Sequence, residues 1–324
     1  MKAVLCKQFG PPETLVVEEI ESPKAGKGQV VISVKACGVN FPDTLMIEGK
    51  YQFKPSFPFS PGGEVAGIVK EVGEGVTHLN VGDNVFSLTG HGGFAEEVTG
   101  NAATTLPMST GMDYITAAST MYTYGTSYHA LKDRANLKPG ETLLVLGAAG
   151  GVGLAAVQLG VLMGATVIAA ASSDEKLQVC RQMGATETIN YTTEDLRERL
   201  KALTNGNGVD VVYDPVGDRY SEPSIRSLAW KGRYLVVGFA AGSIPNIPLN
   251  LTLLKGASLV GVFWGTFAQR EPKLSMSNFG QILHWITTGQ LKQHIHSTYS
   301  LDESPLALRA LMDRKVVGKA VLVL

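Results

Sequence analysis

Apolar and polar positions alternate in short runs over the first third of the chain. Residues 2–6, 15–20 and 30–34 carry the alternation, and 67–71, 81–86 and 93–98 continue it. A period of two puts successive side chains on opposite faces of a strand. Gly10-Pro11-Pro12 and the prolines and glycines of 23–28 separate the runs, as turn chemistry does. Short strands at this spacing predict an irregular β-barrel. Gly82-Asp83 reads as a turn before the strand that holds Val85, so Asp83 is expected to be structural. Residues 37–51 and 57–67 are expected to be loops, rich in Gly and Pro, with polar residues among apolar ones. Loops on a rigid scaffold are where binding groups concentrate.

The pattern changes near residue 123. Continuous apolar runs at 143–146, 166–171, 188–190, 209–213, 234–237 and 259–263 alternate with helical segments at 175–183, 194–204 and 221–229. Such runs suit strands buried on both faces, and strands joined by crossover helices predict a doubly wound parallel sheet. Residues 265–324 are mixed, with helices expected at 279–288 and 305–314 and a last strand at 319–324. That tail is expected to return to the first domain. The predicted organisation is therefore α/β, with one domain at 1–122 plus 265–324 and a second at 123–264.

One stretch organises the second domain. The run 142–146 is followed by Gly147-Ala148-Ala149-Gly150-Gly151-Val152-Gly153, then by a helical pattern, then by the strand at 166–171. Such a β-α-β unit with a glycine-rich first turn brings backbone N–H groups to a pyrophosphate at the helix N-terminus. Ala148 takes the place of the first glycine of the G-x-G-x-x-G fingerprint, while Gly150 and Gly153 keep the second and third. Ala149, Gly150, Gly151, Val152 and Gly153 are thus candidate cofactor contacts. A tight turn with no ligand is the plainer alternative, because the motif alone is weak. A membrane span is excluded by the glycines and by Gln158, which break the stretch into short elements.

The end of the second strand selects the nucleotide. An NAD site places Asp or Glu there to hold the ribose 2′-hydroxyl. This chain has Ala171-Ser172-Ser173, then Lys176, with Tyr191 after the next strand. A hydroxyl, an ammonium and a phenol are donors to a 2′-phosphate, so Ser172, Lys176 and Tyr191 point to NADP(H). Lys176 on a solvated helix face is the alternative.

Charge and cysteines narrow the class. The chain has 324 residues, and its 28 basic and 29 acidic residues leave a net charge of −1. That balance gives no reason to expect nucleic acid or an anionic membrane as partner. The three cysteines, Cys6, Cys37 and Cys180, have no C-x-x-C spacing, so neither a disulfide framework nor a cysteine-rich zinc site is expected. The N-terminus runs straight into a strand pattern without the apolar core of a signal peptide, and a cytoplasmic location is the expectation.

Several motifs in order carry a family resemblance. They are Gly38-Val39-Asn40-Phe41-Pro42-Asp43, Pro61-Gly62-Gly63-Glu64-Val65-Ala66-Gly67, Val81-Gly82-Asp83-Asn84-Val85, Gly92-Gly93-Phe94-Ala95-Glu96, the glycine turn and Gly184-Ala185-Thr186. Together they resemble the medium-chain dehydrogenase/reductase superfamily, and within it the zinc-free quinone oxidoreductase branch that includes zeta-crystallin. The resemblance spans essentially the whole chain. It implies a GroES-like catalytic domain, a Rossmann cofactor domain and a homodimer; the sixth strand, at the sheet edge, would pair across a two-fold axis. Zinc alcohol dehydrogenases carry Cys and His where this chain has Asn40 and Gly63, and their four-cysteine lobe is absent here. No metal is therefore expected. His294-x-His296 has metal-binding spacing, but reads better as two half-exposed strand residues.

The resemblance also suggests roles. Asn40, in the place of a zinc-ligand cysteine, is expected to face the nicotinamide or a substrate oxygen; a loop cap is the alternative. Tyr51 is a candidate proton donor to a developing enolate or hydroquinone oxygen, or else a wall of the site. Asp43 is expected to fix loop geometry, and Glu64 to be either a remnant of the metal motif or a buried ion pair. Thr126 resembles a residue at the nicotinamide ribose, and Lys319 one near the cofactor, with a solvated lysine as the alternative. Val216, Gly238 and Phe239 follow the fourth and fifth strands, where ligands bind in this architecture. Phe263 and Trp264 end the sixth strand and are candidates for lining the site, or else core.

The function expected is an NADPH-dependent, zinc-independent reductase of quinones or related enones. Reduction of α,β-unsaturated aldehydes or ketones or of enoyl thioesters is the second enzymatic reading. A low-turnover NADPH-binding structural or redox-sensing protein is the reading from another class.

Overall fold

The computed structural model describes residues 1–324. The first strands are β1 (Lys2–Leu5), β2 (Val16–Glu19) and β3 (Gln29–Val39), followed by helix α1 (Phe41–Ile47). Strands β4 (Glu64–Val72), β5 (Asn84–Leu88), β6 (Glu97–Asn101) and β7 (Thr105–Pro107) come next. Two helices, α2 (Tyr114–Ala117) and α3 (Met121–Tyr128), lead into a π-helical turn at His129–Arg134. Then strands and helices alternate: β8 (Thr142–Leu146), α4 (Gly151–Leu162), β9 (Thr166–Ala171), α5 (Asp174–Gln182), β10 (Glu187–Asn190), α6 (Leu196–Leu203) and β11 (Val209–Asp214). After α7 (Ser221–Arg226), β12 (Leu228–Val236), α8 (Asn250–Lys255) and β13 (Ser258–Gly261) come α9 (Trp264–Arg270) and α10 (Pro272–Thr287). The chain closes with β14 (Ile295–Tyr299), α11 (Ser304–Met312) and β15 (Lys319–Val323).

Two compact units result: Met1–Tyr122 with Gln293–Leu324, and Thr123–Lys292. In the first, β14-β15-β3-β4-β5-β7 form one sheet, with β6 on β3. The alternation of β3 and β4 sends Val30, Ile32, Val34, Val65 and Val69 into one apolar core with Cys37 and Phe94. Strand β3 outruns the alternation that predicts it because β15 pairs with its second half, Ala320 opposite Val39 and Val323 opposite Ala36. The expected loop at 37–51 is therefore strand to Val39 and then helix α1. Proline in the first helical turn needs no N–H partner, and Asp43 there suits the positive end of the helix.

In the second unit, β10-β9-β8-β11-β12-β13 make a parallel sheet. This is the doubly wound order, with β8 at the centre and β13 at an edge. Helix α4 is apolar all round and buried from Gly153 to Gly160, as a helix against the sheet must be. Residues 265–292, expected with the first domain, lie in the second unit. The reason is packing: Phe267 stacks on His129 with centroids 3.7 Å apart, and Trp285 meets Tyr128 at 5.3 Å. Asn278 adds polar links, its Nδ2 donating to Asp133 at 2.7 Å and its Oδ1 accepting from Lys132 at 2.7 Å. No helix is long and apolar enough to cross a membrane.

Candidate functional site

The second unit carries the glycine turn. Strand β8 is buried to Leu146, and α4 starts at Gly151 behind Gly150, which offers no capping side chain. The first turn of α4 holds no acidic residue. Backbone N–H groups at a helix start that lack a side-chain cap form a site for an anion. Gly153 permits the close approach of helix and turn: a Cβ there would lie 2.3 Å from the Gly147 carbonyl oxygen. Ala149 is buried within the turn, and Ser127 anchors it, donating from Oγ to the Val152 carbonyl at 2.9 Å. Thr126, beside Ser127, is half-buried.

The loop after β11 lies against this turn, since a Cβ at Gly147 would be 2.7 Å from Val216 Cγ2. Asp214 shapes that loop by accepting the N–H groups of Val216 and Gly217 on one carboxylate oxygen, at 2.7 and 2.9 Å. The loop after β12 is laced to it, with Ala240 donating to Pro215 and Ala241 to Val216. Val216, Gly238 and Phe239 thus gather beside the glycine turn. Phe263 is 56% exposed, whereas Trp264 is 8% exposed and its ring lies against Gly125.

At the end of β9, Lys176 Nζ donates to Ser172 Oγ at 3.1 Å. Lys176 is half-buried, not a freely solvated helix residue. The backbone N–H of Tyr191 donates to Ala171 at 3.1 Å, which places Tyr191 at the same corner. Two neighbours were not foreseen: Tyr220, whose ring centroid is 4.4 Å from that of Tyr191, and Arg219, 5.0 Å above the Tyr220 ring. Both follow a strand end, the positional rule that selects Val216, so that rule could have reached them. The nearby Asp174 carboxylate accepts from Asn190 Nδ2 at 2.9 Å.

The first unit holds a buried polar cluster. Asn40, at the end of β3, donates from Nδ2 to Glu64 at 3.0 Å and to the Gly38 carbonyl at 3.2 Å. Its Oδ1 accepts from Lys319 Nζ at 2.7 Å. A carboxylate only accepts and an ammonium only donates, so these partners fix which way the amide points. Lys319 also donates to Glu64 at 3.2 Å and to the Val39 carbonyl at 3.4 Å. It is a buried ion pair, not a solvated lysine, and Glu64 is its partner. Every amide N–H of Asn40 and every ammonium N–H of Lys319 is engaged inside the cluster, so a cofactor contact from either must share these bonds. Gly38 makes room, since a Cβ there would lie 2.9 Å from the Glu64 carboxylate.

Asp43 has the structural role expected of it. Its two oxygens accept the N–H groups of Asn40 at 2.8 Å and Gly62 at 3.1 Å. Burial raises its pKa to about 6, against the two N–H groups and Lys319, which favour the ionised form. Tyr51 is half-buried; burial, and then the charge of Asp43, raises its phenol pKa and keeps the proton on. Tyr122, which sequence reasoning missed, lies in the same cluster, its N–H donating to Glu64 at 3.1 Å. No local spacing marks it.

A catalytic zinc needs three suitable N, S or O donors. No three His, Cys, Asp or Glu side chains converge on such a point. Burial holds the Cys37 thiol far above its ordinary pKa, so it is not a ready thiolate, and Glu64 is already paired with an ammonium. The residues present do not fit the metal.

Comparison with known proteins places the chain. Residues 26–110 match the family described as alcohol dehydrogenase GroES-like domain, and 151–279 match that described as zinc-binding dehydrogenase. A quinone oxidoreductase-like protein 2 homolog from Nematostella vectensis is 40% identical, over 99% of this chain and 88% of its own. The Escherichia coli quinone oxidoreductase, solved in complex with NADPH, superimposes with a TM-score of 0.93 at 28% identity, covering 100% of both chains. The CurK enoyl reductase does so with 0.90 at 27% identity, over 99% of this chain and 98% of that one. With both domain families matched in order and a 40% identical relative spanning 99% of the chain, the protein belongs to the zinc-free quinone oxidoreductase branch of the medium-chain dehydrogenase/reductase superfamily.

Proposed function

We propose that this oxidoreductase is an NADPH-dependent, zinc-independent reductase of quinones. The observation that carries the reading is the Lys319–Glu64–Asn40 cluster, in which a tethered ammonium neutralises the carboxylate that remains of the metal motif. Without a Lewis acid to polarise a simple carbonyl, the suitable acceptors are those whose conjugation spreads developing negative charge. Quinones and electron-poor C=C bonds are such acceptors, and the relatives named as quinone oxidoreductases favour the former.

NADPH supplies the hydride when bound. The turn from Ala149 to Gly153 holds the pyrophosphate, and Ser172, Lys176 and Tyr191 hold the 2′-phosphate by charge-assisted hydrogen bonds. Val216 serves the adenosine side, Gly238 and Phe239 the carboxamide, Thr126 the ribose of the nicotinamide, and Phe263 lines the site. Asn40 and Lys319 form the polar frame that sets the shape and charge of the catalytic domain's side. Tyr51, protonated at neutral pH, hands its proton to the product oxygen, or solvent does so.

The likeness to an enoyl reductase supports a second reading, reduction of enoyl thioesters. NADPH consumption across quinones, α,β-unsaturated aldehydes and enoyl thioesters tests both. The highest kcat/KM is expected with a quinone. An enoyl thioester in first place moves the assignment to the second reading, and no turnover with any acceptor leaves only the NADPH-binding role.

A further inference from the structure

Five aromatic rings form a continuous ladder on the first unit. Phe9 meets Phe57 edge-on at 4.7 Å, Phe57 stacks on Phe59 at 5.7 Å, and Phe59 meets His91 at 6.4 Å. Phe53 stacks on His91 at 5.8 Å with an interplanar angle of 19°. Phe59 is buried, but Phe9, Phe57 and Phe53 are 43%, 43% and 54% exposed. A single exposed phenylalanine is ordinary, whereas a connected row of them marks a binding surface.

The backbone beneath the rings is anchored. Cys6 and Phe59 exchange N–H···O bonds of 2.7 and 3.1 Å, Gly92 donates to Ser60 at 2.7 Å, and Gly10 donates to Ile47 at 2.9 Å. Cys6, Phe59, Ser60 and Gly92 are thereby tied to one another beneath the rings, and Gly10 to the end of α1. Burial lowers the pKa of His91, so its ring is neutral at neutral pH and presents an uncharged π-face. Lys54 sets the only cation against the row, its Nζ 5.9 Å from the Phe9 centroid.

The ladder borders the segment that leads to Tyr51: a Cβ at Gly49, two residues before Tyr51, would lie 2.9 Å from the Phe9 ring. Tyr51 stands two residues before Phe53, and Gly62, which donates to Asp43, stands three after Phe59. Rings that already meet one another edge-on and offset-stacked can receive one more ring in the same geometries. We propose that Phe53, His91, Phe59, Phe57 and Phe9 form a subsite for an aryl substituent of the electron acceptor. The proposal rests on the reading of the protein as a reductase of quinones or enones, and it names which members of that class are preferred: those whose reacting ring or alkene carries a second aromatic group.

The test compares p-benzoquinone with phenyl-p-benzoquinone, which keeps the reacting ring and adds one aryl group, in the wild-type protein and in Phe53→Ala. Phe53 is exposed, so its truncation leaves the core intact. The KM for phenyl-p-benzoquinone is expected to rise about tenfold in Phe53→Ala. The KM for p-benzoquinone, and both kcat values, are expected to stay within about twofold. Equal effects on both quinones, or none on either, overturn the subsite. Binding of p-phenylphenol, followed by its own fluorescence, separates the subsite from the quinone reading because this probe accepts no hydride. If neither quinone consumes NADPH but p-phenylphenol binds wild type about tenfold more tightly than Phe53→Ala, the quinone reading fails and the subsite stands. If the probe binds both proteins equally, or does not bind wild type, the subsite is overturned whatever the turnover.

Discussion

Lys319 and Glu64 lie 255 positions apart in sequence, yet their charged atoms are 3.2 Å apart and their side chains are 6% and 1% exposed. A buried pair of this kind is costly to break from one side only, because the remaining charge has lost its partner. Lys319→Met is expected to lower unfolding stability by about 3 kcal/mol or more, read from urea denaturation. The double variant with Glu64→Gln, which removes the orphaned charge, should recover part of that loss; no recovery would mean that the ion pair is not what the lysine supplies. Asp43 gives the cluster a pH dependence. Its carboxyl titrates near 4 when the chain is unfolded and at about 6 when folded. Between those values the folded state holds a proton that the unfolded state has released, so this group's contribution to stability falls as pH rises through the window. The wild type should lose on the order of 2 kcal/mol from about pH 4 to 6 relative to Asp43→Asn, which has no such titration. Parallel pH profiles for the two proteins would contradict this. The sequence exposed Asn40, Glu64 and Lys319 as separate candidates. Their union was not legible, because β15 brings Lys319 to β3 only through long-range pairing.

The β8–turn–α4 unit is the element whose fold was plainest in the sequence, since its glycines and apolar runs serve the same close packing. Gly153→Ala places a Cβ where only 2.3 Å separates it from the Gly147 carbonyl. The helix start must then move, at an expected cost of about 2 kcal/mol. Added NADPH should also raise the unfolding midpoint less than in wild type, because ligand stabilisation shrinks as Kd grows. An unchanged midpoint shift would show that the turn does not grip the nucleotide. Helix α1 was less legible. Gly38, Pro42 and Gly49 around it read as loop, yet Pro42 lies in the first helical turn and the glycines fall outside the helix. Helices α9 and α10 were hidden differently. Nothing in their own pattern says which unit buries them; that is decided by His129, Tyr128 and Asp133 more than a hundred residues earlier.

At the scale of the molecule, β13 ends the six-stranded sheet, and Leu249, Leu253, Leu254 and Trp230 of the same unit are 74%, 79%, 70% and 69% exposed. An open edge flanked by exposed apolar side chains favours pairing with a second copy. Light scattering is expected to give twice the 34.4 kDa of one chain, and a monomer mass would refute the dimer. The central claim concerns the whole reaction: an NADPH-specific reduction that no metal assists. It is tested most directly by kcat/KM for NADPH against NADH, measured with p-benzoquinone on protein dialysed against a chelator. The charge-assisted hydrogen bonds of Ser172, Lys176 and Tyr191 to a 2′-phosphate predict a preference for NADPH of about 100-fold or more. A ratio at or below one, or turnover that returns only when zinc is added back, would contradict the account.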